Sequence, residues 1–137
     1  MKSVALFAFV TVAGFALSAN AQTSVKTCPA GTTVSMVRIS TIKPTGSMAG
    51  FLEAVQDHAK WYRDHGHTAD EITSSPILEK SEDGKTWAVS KTRAFSIHKN
   101  DYGVPKAEEE GAEWKAFVAK YRANSDIESV TVVCLPK

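Results

Sequence analysis

Four histidines are the groups of this chain best suited to move a proton near neutral pH, and two of them share a short stretch with aromatic residues. His58, Trp61, Tyr62 and His65 are spaced by three and four, so a helix places them on one flank within about two turns. Two imidazoles, an indole and a phenol gathered in this way can bind an aromatic or acidic small molecule, or pass a proton to one. They can equally serve packing alone, with Tyr62 in the core, Trp61 partly covered and the histidines as a polar border. His98 ends a strand-like run, where an imidazole can reach a cavity mouth as a base or simply stand beside a loop. His65-Gly66-His67, with Asp64 and Asp70 nearby, offers ligand types for zinc or copper. Its spacing matches no strong metal signature, so neither a metal nor any other cofactor is expected.

Arg38 and Arg93 are charges inside otherwise apolar strand-like runs. Each must snorkel to solvent, pair with a carboxylate, or anchor an anionic ligand, because a buried charge without a partner is costly. Several signals are missing. There is no Gly-rich phosphate loop and no dinucleotide fingerprint. Gly46-Ser47-Met48-Ala49-Gly50 resembles a nucleophile elbow, but Thr45 holds the first glycine position, and Ser47 is better read as a helix cap. Glu108-Glu109-Glu110 reads as a helix start, not as a catalytic carboxylate pair.

The elements that would position these groups follow from periodicity. Val34 to Ile42 reads as a strand, apolar on both faces, and Lys43-Pro44-Thr45-Gly46 breaks it. A helix then runs from a Ser47 cap to about His65, with Met48, Phe51, Leu52, Val55, Ala59 and Tyr62 as its stripe and Gly66 as its stop. Glu71 to Lys80 is a second strand, placed at a sheet edge by Pro76, which has no N–H to give to a ladder. An Asp83-Gly84 turn leads into a third strand, Thr86 to His98, with Trp87, Val89, Phe95 and Ile97 on one parity. Lys91 and Arg93 interrupt that parity, which suggests a bulge or a polar cavity there. Ala107 to Ala123 reads as a second helix with Trp114, Phe117, Val118 and Tyr121 inward, and Ile127 to Leu135 as the last strand.

The order strand, helix, strand, strand, helix, strand is the split βαβ layout, an α+β ferredoxin-like fold with a four-stranded antiparallel sheet. In that layout the last strand lies beside the first, and its end falls near the first strand's start. Cys134 and Cys28 occupy those two places, so a structural disulfide between them is expected. Two helices cover only one face of such a sheet. Its other face keeps apolar groups, and a large exposed apolar patch is uncommon in monomers, so a homodimer paired sheet to sheet is expected.

Composition and the first residues set the compartment. The chain has 137 residues, 43% hydrophobic and 23% charged, which suits one ordinary globular domain. Lys2, an apolar run from Val4 to Leu17 and Ala19-Asn20-Ala21 read as a secretory signal peptide over residues 1–21, leaving a single domain over 22–137. The apolar run is short for a membrane span, which needs about 20 residues. Removing it takes one of 16 basic residues and none of the 15 acidic ones, so the remainder is formally neutral. A neutral domain has no field to gather phosphates, so nucleic acid is not an expected partner, nor is a membrane once the leader is gone. A periplasmic or secreted protein follows, and an oxidising compartment agrees with the cysteine pair.

With the strand Met36 to Ile42, the Pro44-Thr45-Gly46-Ser47 turn, Phe51-Leu52-Glu53-Ala54-Val55 and His58-Ala59-Lys60-Trp61-Tyr62-Arg63, the chain resembles the dimeric α/β-barrel superfamily. The likeness is one of layout over most of the chain. That superfamily includes antibiotic-biosynthesis-type monooxygenases, haem-degrading enzymes, polyketide cyclases and stress-responsive barrel proteins, so the resemblance implies a pocket and leaves its use open. Three uses are in view. A binding protein would hold a small apolar or aromatic ligand between sheet and helices or between two paired sheets, among Phe95, Trp87, Tyr62 and Arg93, with His58 at the rim and Trp61, His65 and Arg38 contributing. A cofactor-independent monooxygenase or cyclase-like lyase would use His58 or His98 as base and Tyr62 or Tyr102 as acid. An interaction module would present its sheet to another protein.

Overall fold

A computed structural model describes residues 28–100, 106–109 and 111–137. The leader read over 1–21, the boundary after it and Tyr102 lie outside these. The first strand, β1, spans Thr32–Ile42, and Ser47 caps helix α1, Met48–Asp64. The Ser47 side chain accepts a hydrogen bond from the Gly50 amide at 3.0 Å, which satisfies one of the unpaired donors at the helix start. Strands β2, Glu71–Lys80, and β3, Trp87–Lys99, form a hairpin whose turn places Gly84 at a φ of 68°. Helices α2, Lys106–Glu109, and α3, Ala112–Asn124, precede β4, Ser125–Pro136.

The continuous helix expected over Ala107 to Ala123 is thus two helices. Gly111 sits at the α3 N-cap with extended backbone and no side chain to cap with, so helical geometry restarts there. β4 also begins earlier than the apolar pattern indicates. Asn124 ends α3, and the chain enters the sheet at Ser125 without a loop.

The strand order is β2-β3-β1-β4, every pair antiparallel. This is the ferredoxin-like split βαβ topology, with β2 and its Pro76 at an edge. The register of β2 against β3 shifts between Pro76 and Leu78. Opposite the shift, the buried Ser90 hydroxyl accepts from the amides of Thr92, at 3.2 Å, and Arg93, at 2.9 Å. The irregularity signalled by Lys91 and Arg93 is therefore a bulge with its amides satisfied locally.

Alternation along the strands divides the sheet into two faces. Met36, Arg38, Ser40 and Ile42 of β1, with Ala94, Ser96 and His98 of β3, face the helices. Ile42 and Ala94 pack there against Phe51 and Val55, and further along α1 a second cluster joins Trp61, Tyr62 and Phe117. Val37, Ile39, Phe95, Ile97, Val133 and Leu135 have the opposite parity and are half-buried. Cys28 and Cys134, 106 positions apart in sequence, form a disulfide with their Cα atoms 5.6 Å apart. Among the described residues no helix is long and apolar enough to cross a membrane.

Candidate functional site

A cavity of about 420 Å³ lies between the helix-facing side of the sheet and the two longer helices. Its floor is built by β1 and β3, whose cavity-facing residues are Met36, Arg38 and Ser40 on one strand and Ser96 and His98 on the other. Arg38 and Ser96 are direct partners in the ladder, so the serine hydroxyl stands beside the guanidinium stem on the same face. α1 contributes His58 and Tyr62, one turn apart, and α3 contributes Trp114, Phe117 and Tyr121 at helical spacing. Ile127, largely exposed, borders one side, and Glu109 and Arg122 stand at the rim.

His58 is one of three buried titratable groups of this set, with Tyr62 and His98. Its ring stacks on Phe117 with centroids 4.4 Å apart and meets Tyr62, Trp114 and His98 at 5.1, 5.7 and 5.7 Å. Nδ1 lies 3.3 Å from the Tyr121 hydroxyl, while the buried Nε2 has no hydrogen-bond partner among the described residues. Burial holds its pKa down, and the neighbouring His98 and Arg38 add to this, bringing it to about 3. The imidazole is therefore neutral at any ordinary pH. Burial also pushes the Tyr121 phenol well above its usual range, so both partners of the contact are uncharged. His98 is buried against Tyr62, with centroids 4.7 Å apart, and its Nε2 is 3.4 Å from Asp70 Oδ1.

The residues singled out by type and spacing separate into groups. Arg38, His58, Tyr62 and His98 come together in the cavity, and His58 sits deep inside rather than at a rim. Trp61 is buried on the neighbouring flank of α1, against Trp114 at 4.8 Å, with His65 stacked on it at 4.2 Å. The His65 Nδ1–H donates to the Trp61 carbonyl at 2.9 Å, and His67 Nε2–H donates to Glu108 at 2.7 Å. Among the described residues no cluster of three His, Cys, Asp or Glu is arranged to hold a metal ion.

Phe95, Arg93 and Trp87 lie elsewhere, because strand parity and the bulge carry them out of this cavity. Phe95 belongs to the helix-free face. Arg93 donates to Glu128 through Nε at 2.9 Å and Nη2 at 2.8 Å, and also meets Glu79 at 3.4 Å. Trp87 is 63% exposed near the hairpin tip, with Leu78 and Val89 exposed beside it and Lys80 Nζ 5.6 Å from its ring.

Spacing alone passed over Ser96, Ser40 and Tyr121. The signal for the serines is their parity with Arg38 and His98, since polar side chains on the buried face of central strands call for a partner. Tyr121 lies within the apolar stripe of α3, and nothing in its spacing separates a phenol that faces a cavity from one that packs.

The chemistry available is that of recognition more than activation. Aromatic and aliphatic walls suit a flat apolar body, while a guanidinium, two serine hydroxyls, a phenol and a neutral imidazole suit a polar end. A base with a pKa near 3 takes little part in proton abstraction at neutral pH. The His98–Asp70 pair is the arrangement closer to acid–base work, because a carboxylate lies 3.4 Å from the ring nitrogen.

No family model and no curated protein matches the chain. Among solved structures it is similar to a protein from Arabidopsis thaliana at 10% identity, over 76% of this chain and 94% of that one, with a TM-score of 0.44. A dimeric ferredoxin-like protein of unknown function from Thermobifida fusca matches at 8% identity, over 79% and 93%, also with a TM-score of 0.44. A dimeric protein of unknown function with a ferredoxin-like fold from Bacteroides fragilis matches at 12% identity, over 76% and 95%, with a TM-score of 0.34.

Proposed function

We propose that the domain over residues 22–137 is an exported binding protein for a small apolar or aromatic molecule, held in the cavity between sheet and helices. The observation that carries this reading is the cavity itself. Its volume of about 420 Å³ lies in the range of small-molecule sites, roughly 300–1,000 Å³, and it pairs apolar walls with a few convergent polar groups.

The disulfide supports an oxidising location, periplasmic or extracellular. The helix-free face supports a homodimer. Val37, Ile39, Phe95 and Ile97 lie together at its centre on the two middle strands, and a second copy placed sheet to sheet would bury them. The His98–Asp70 pair favours a second reading, in which the same cavity converts its ligand with His98 as base and Tyr62 as acid, without a cofactor.

Native mass spectrometry of protein purified from its own host tests all three points. The expected result is a dimer carrying a small organic molecule that is recovered chemically unchanged after prolonged incubation. A ligand that is transformed on the protein would favour the enzymatic reading. An empty monomer that also binds no apolar probe would overturn the proposal.

A further inference from the structure

Two arginines interrupt apolar strands of this sheet, and the fold treats them differently. Arg93, on the helix-free face, is held by the Glu128 carboxylate through two bonds and by Glu79 through a third. Three half-buried lysines are matched as well, Lys120 to Glu53 and Asp57, Lys43 to Asp126, Lys99 to Glu71. Arg38 is half-buried in the cavity and makes no ion pair or hydrogen bond with any described residue. A guanidinium drawn out of water without a counter-charge is costly, so a chain that balances its other strand arginine leaves this one for something it does not itself contain.

The surroundings narrow the chemistry. Ser96 lies opposite Arg38 in the ladder and Ser40 two residues along the same strand, so hydroxyl donors flank the guanidinium. Glu109 and Arg122, of opposite charge, stand at the rim, and among the described residues Arg38 is the fixed charge of the inner wall. Among the described residues no lysine lines the cavity, so a doubly charged phosphate would remain half unneutralised there. Trp114, Phe117 and Ile127 leave an apolar space for the remainder of the ligand.

We infer that the cavity selects an aromatic or bulky apolar monocarboxylate, with its carboxylate against Arg38 and the Ser40 and Ser96 hydroxyls and its body against Trp114, Phe117 and Ile127. This rests on the reading of the cavity as a ligand site. Arg38 is then the residue that sets specificity, since a guanidinium and a carboxylate meet through two parallel bonds that a neutral group cannot reproduce.

The test compares 1-naphthoate with 1-naphthalenemethanol, a neutral probe of similar shape, by isothermal titration on the purified protein. The acid is expected to bind tighter than the alcohol by roughly tenfold or more. Arg38→Met should remove that preference while leaving the alcohol's affinity within about threefold, and Arg38→Lys should restore part of it, with circular dichroism confirming that both variants fold. Equal binding of acid and alcohol by the unaltered protein would overturn the carboxylate assignment and leave the apolar site standing. Failure of both probes to bind would remove the site and the assignment together.

Discussion

At the scale of single residues, the buried imidazole makes a prediction that does not depend on any ligand. His58 is neutral in the folded protein down to about pH 3, whereas in the unfolded chain it titrates near 6.5. A folded-state pKa below the unfolded one means that the unfolded chain binds the proton first. The stability associated with neutral His58 is therefore complete above pH 6.5 and is lost progressively as the pH falls from there toward 3. Urea melts at pH 7 and pH 4.5 should differ by roughly 2–3 kcal/mol on this account, and His58→Phe should lose most of that difference. Equal pH dependence in the two proteins would show that His58 is not the group responsible. The same scale shows what one sequence can and cannot disclose. Arg38 and Arg93 read alike, each a charge in an apolar run, and the types and spacing around His58 were enough to single it out. What separates the two arginines is Glu79 and Glu128, which lie 14 and 35 positions from Arg93 and meet it only through strand pairing and the bulge. Contacts at that separation leave no local trace.

Among the elements, the junction between the start of α1 and the end of α3 holds the cavity's two helical walls in register. Asn124 makes it. Its side-chain oxygen accepts from the Ser47 amide at 2.9 Å, its side-chain nitrogen donates to the Lys120 carbonyl at 2.9 Å, and its own carbonyl accepts from the Lys43 amide at 2.9 Å. Gly46 packs so closely that a Cβ there would come within 2.5 Å of the Asn124 backbone. Gly46→Ala should therefore destabilise by roughly 1–3 kcal/mol through overpacking. Ser47→Ala, which removes only the cap, should cost about 1 kcal/mol. Thermal or urea melts rank the two, and a smaller loss for Gly46→Ala than for Ser47→Ala would contradict the close contact. Periodicity made the strands and the first helix legible, because a stripe at spacings of three and four or an alternation of two is written directly in residue types. Pro76 likewise marked the edge strand in advance. The break between α2 and α3 escaped that reading, since Glu, Ala and Lys around Gly111 favour a helix on either side and one glycine is tolerated inside many helices.

For the molecule as a whole, the ferredoxin-like layout and the pairing of its cysteines reinforce each other, because β4 can return beside β1 only if its end reaches the segment before β1. A loop on the order of 100 residues closed in this way is worth roughly 4–5 kcal/mol by the loss of freedom in the unfolded chain. Cys28→Ser or Cys134→Ser should lower the unfolding free energy from urea melts by up to that amount without changing the binding of probes to the cavity, which shares no residue with the bridge. Unchanged stability in either variant would show that the unfolded chain is constrained by other means.

That bridge also encloses a covalent ring. Every described helix, the first three strands and all of β4 except Leu135 and Pro136 lie between the two sulfurs. A protease that cuts once anywhere inside the ring can open it but cannot release a piece, so a nicked molecule would migrate as one band on a denaturing gel and divide in two only when reductant is added. A protein built this way can suffer a backbone scission in a protease-rich environment and still keep both fragments tethered around the pocket.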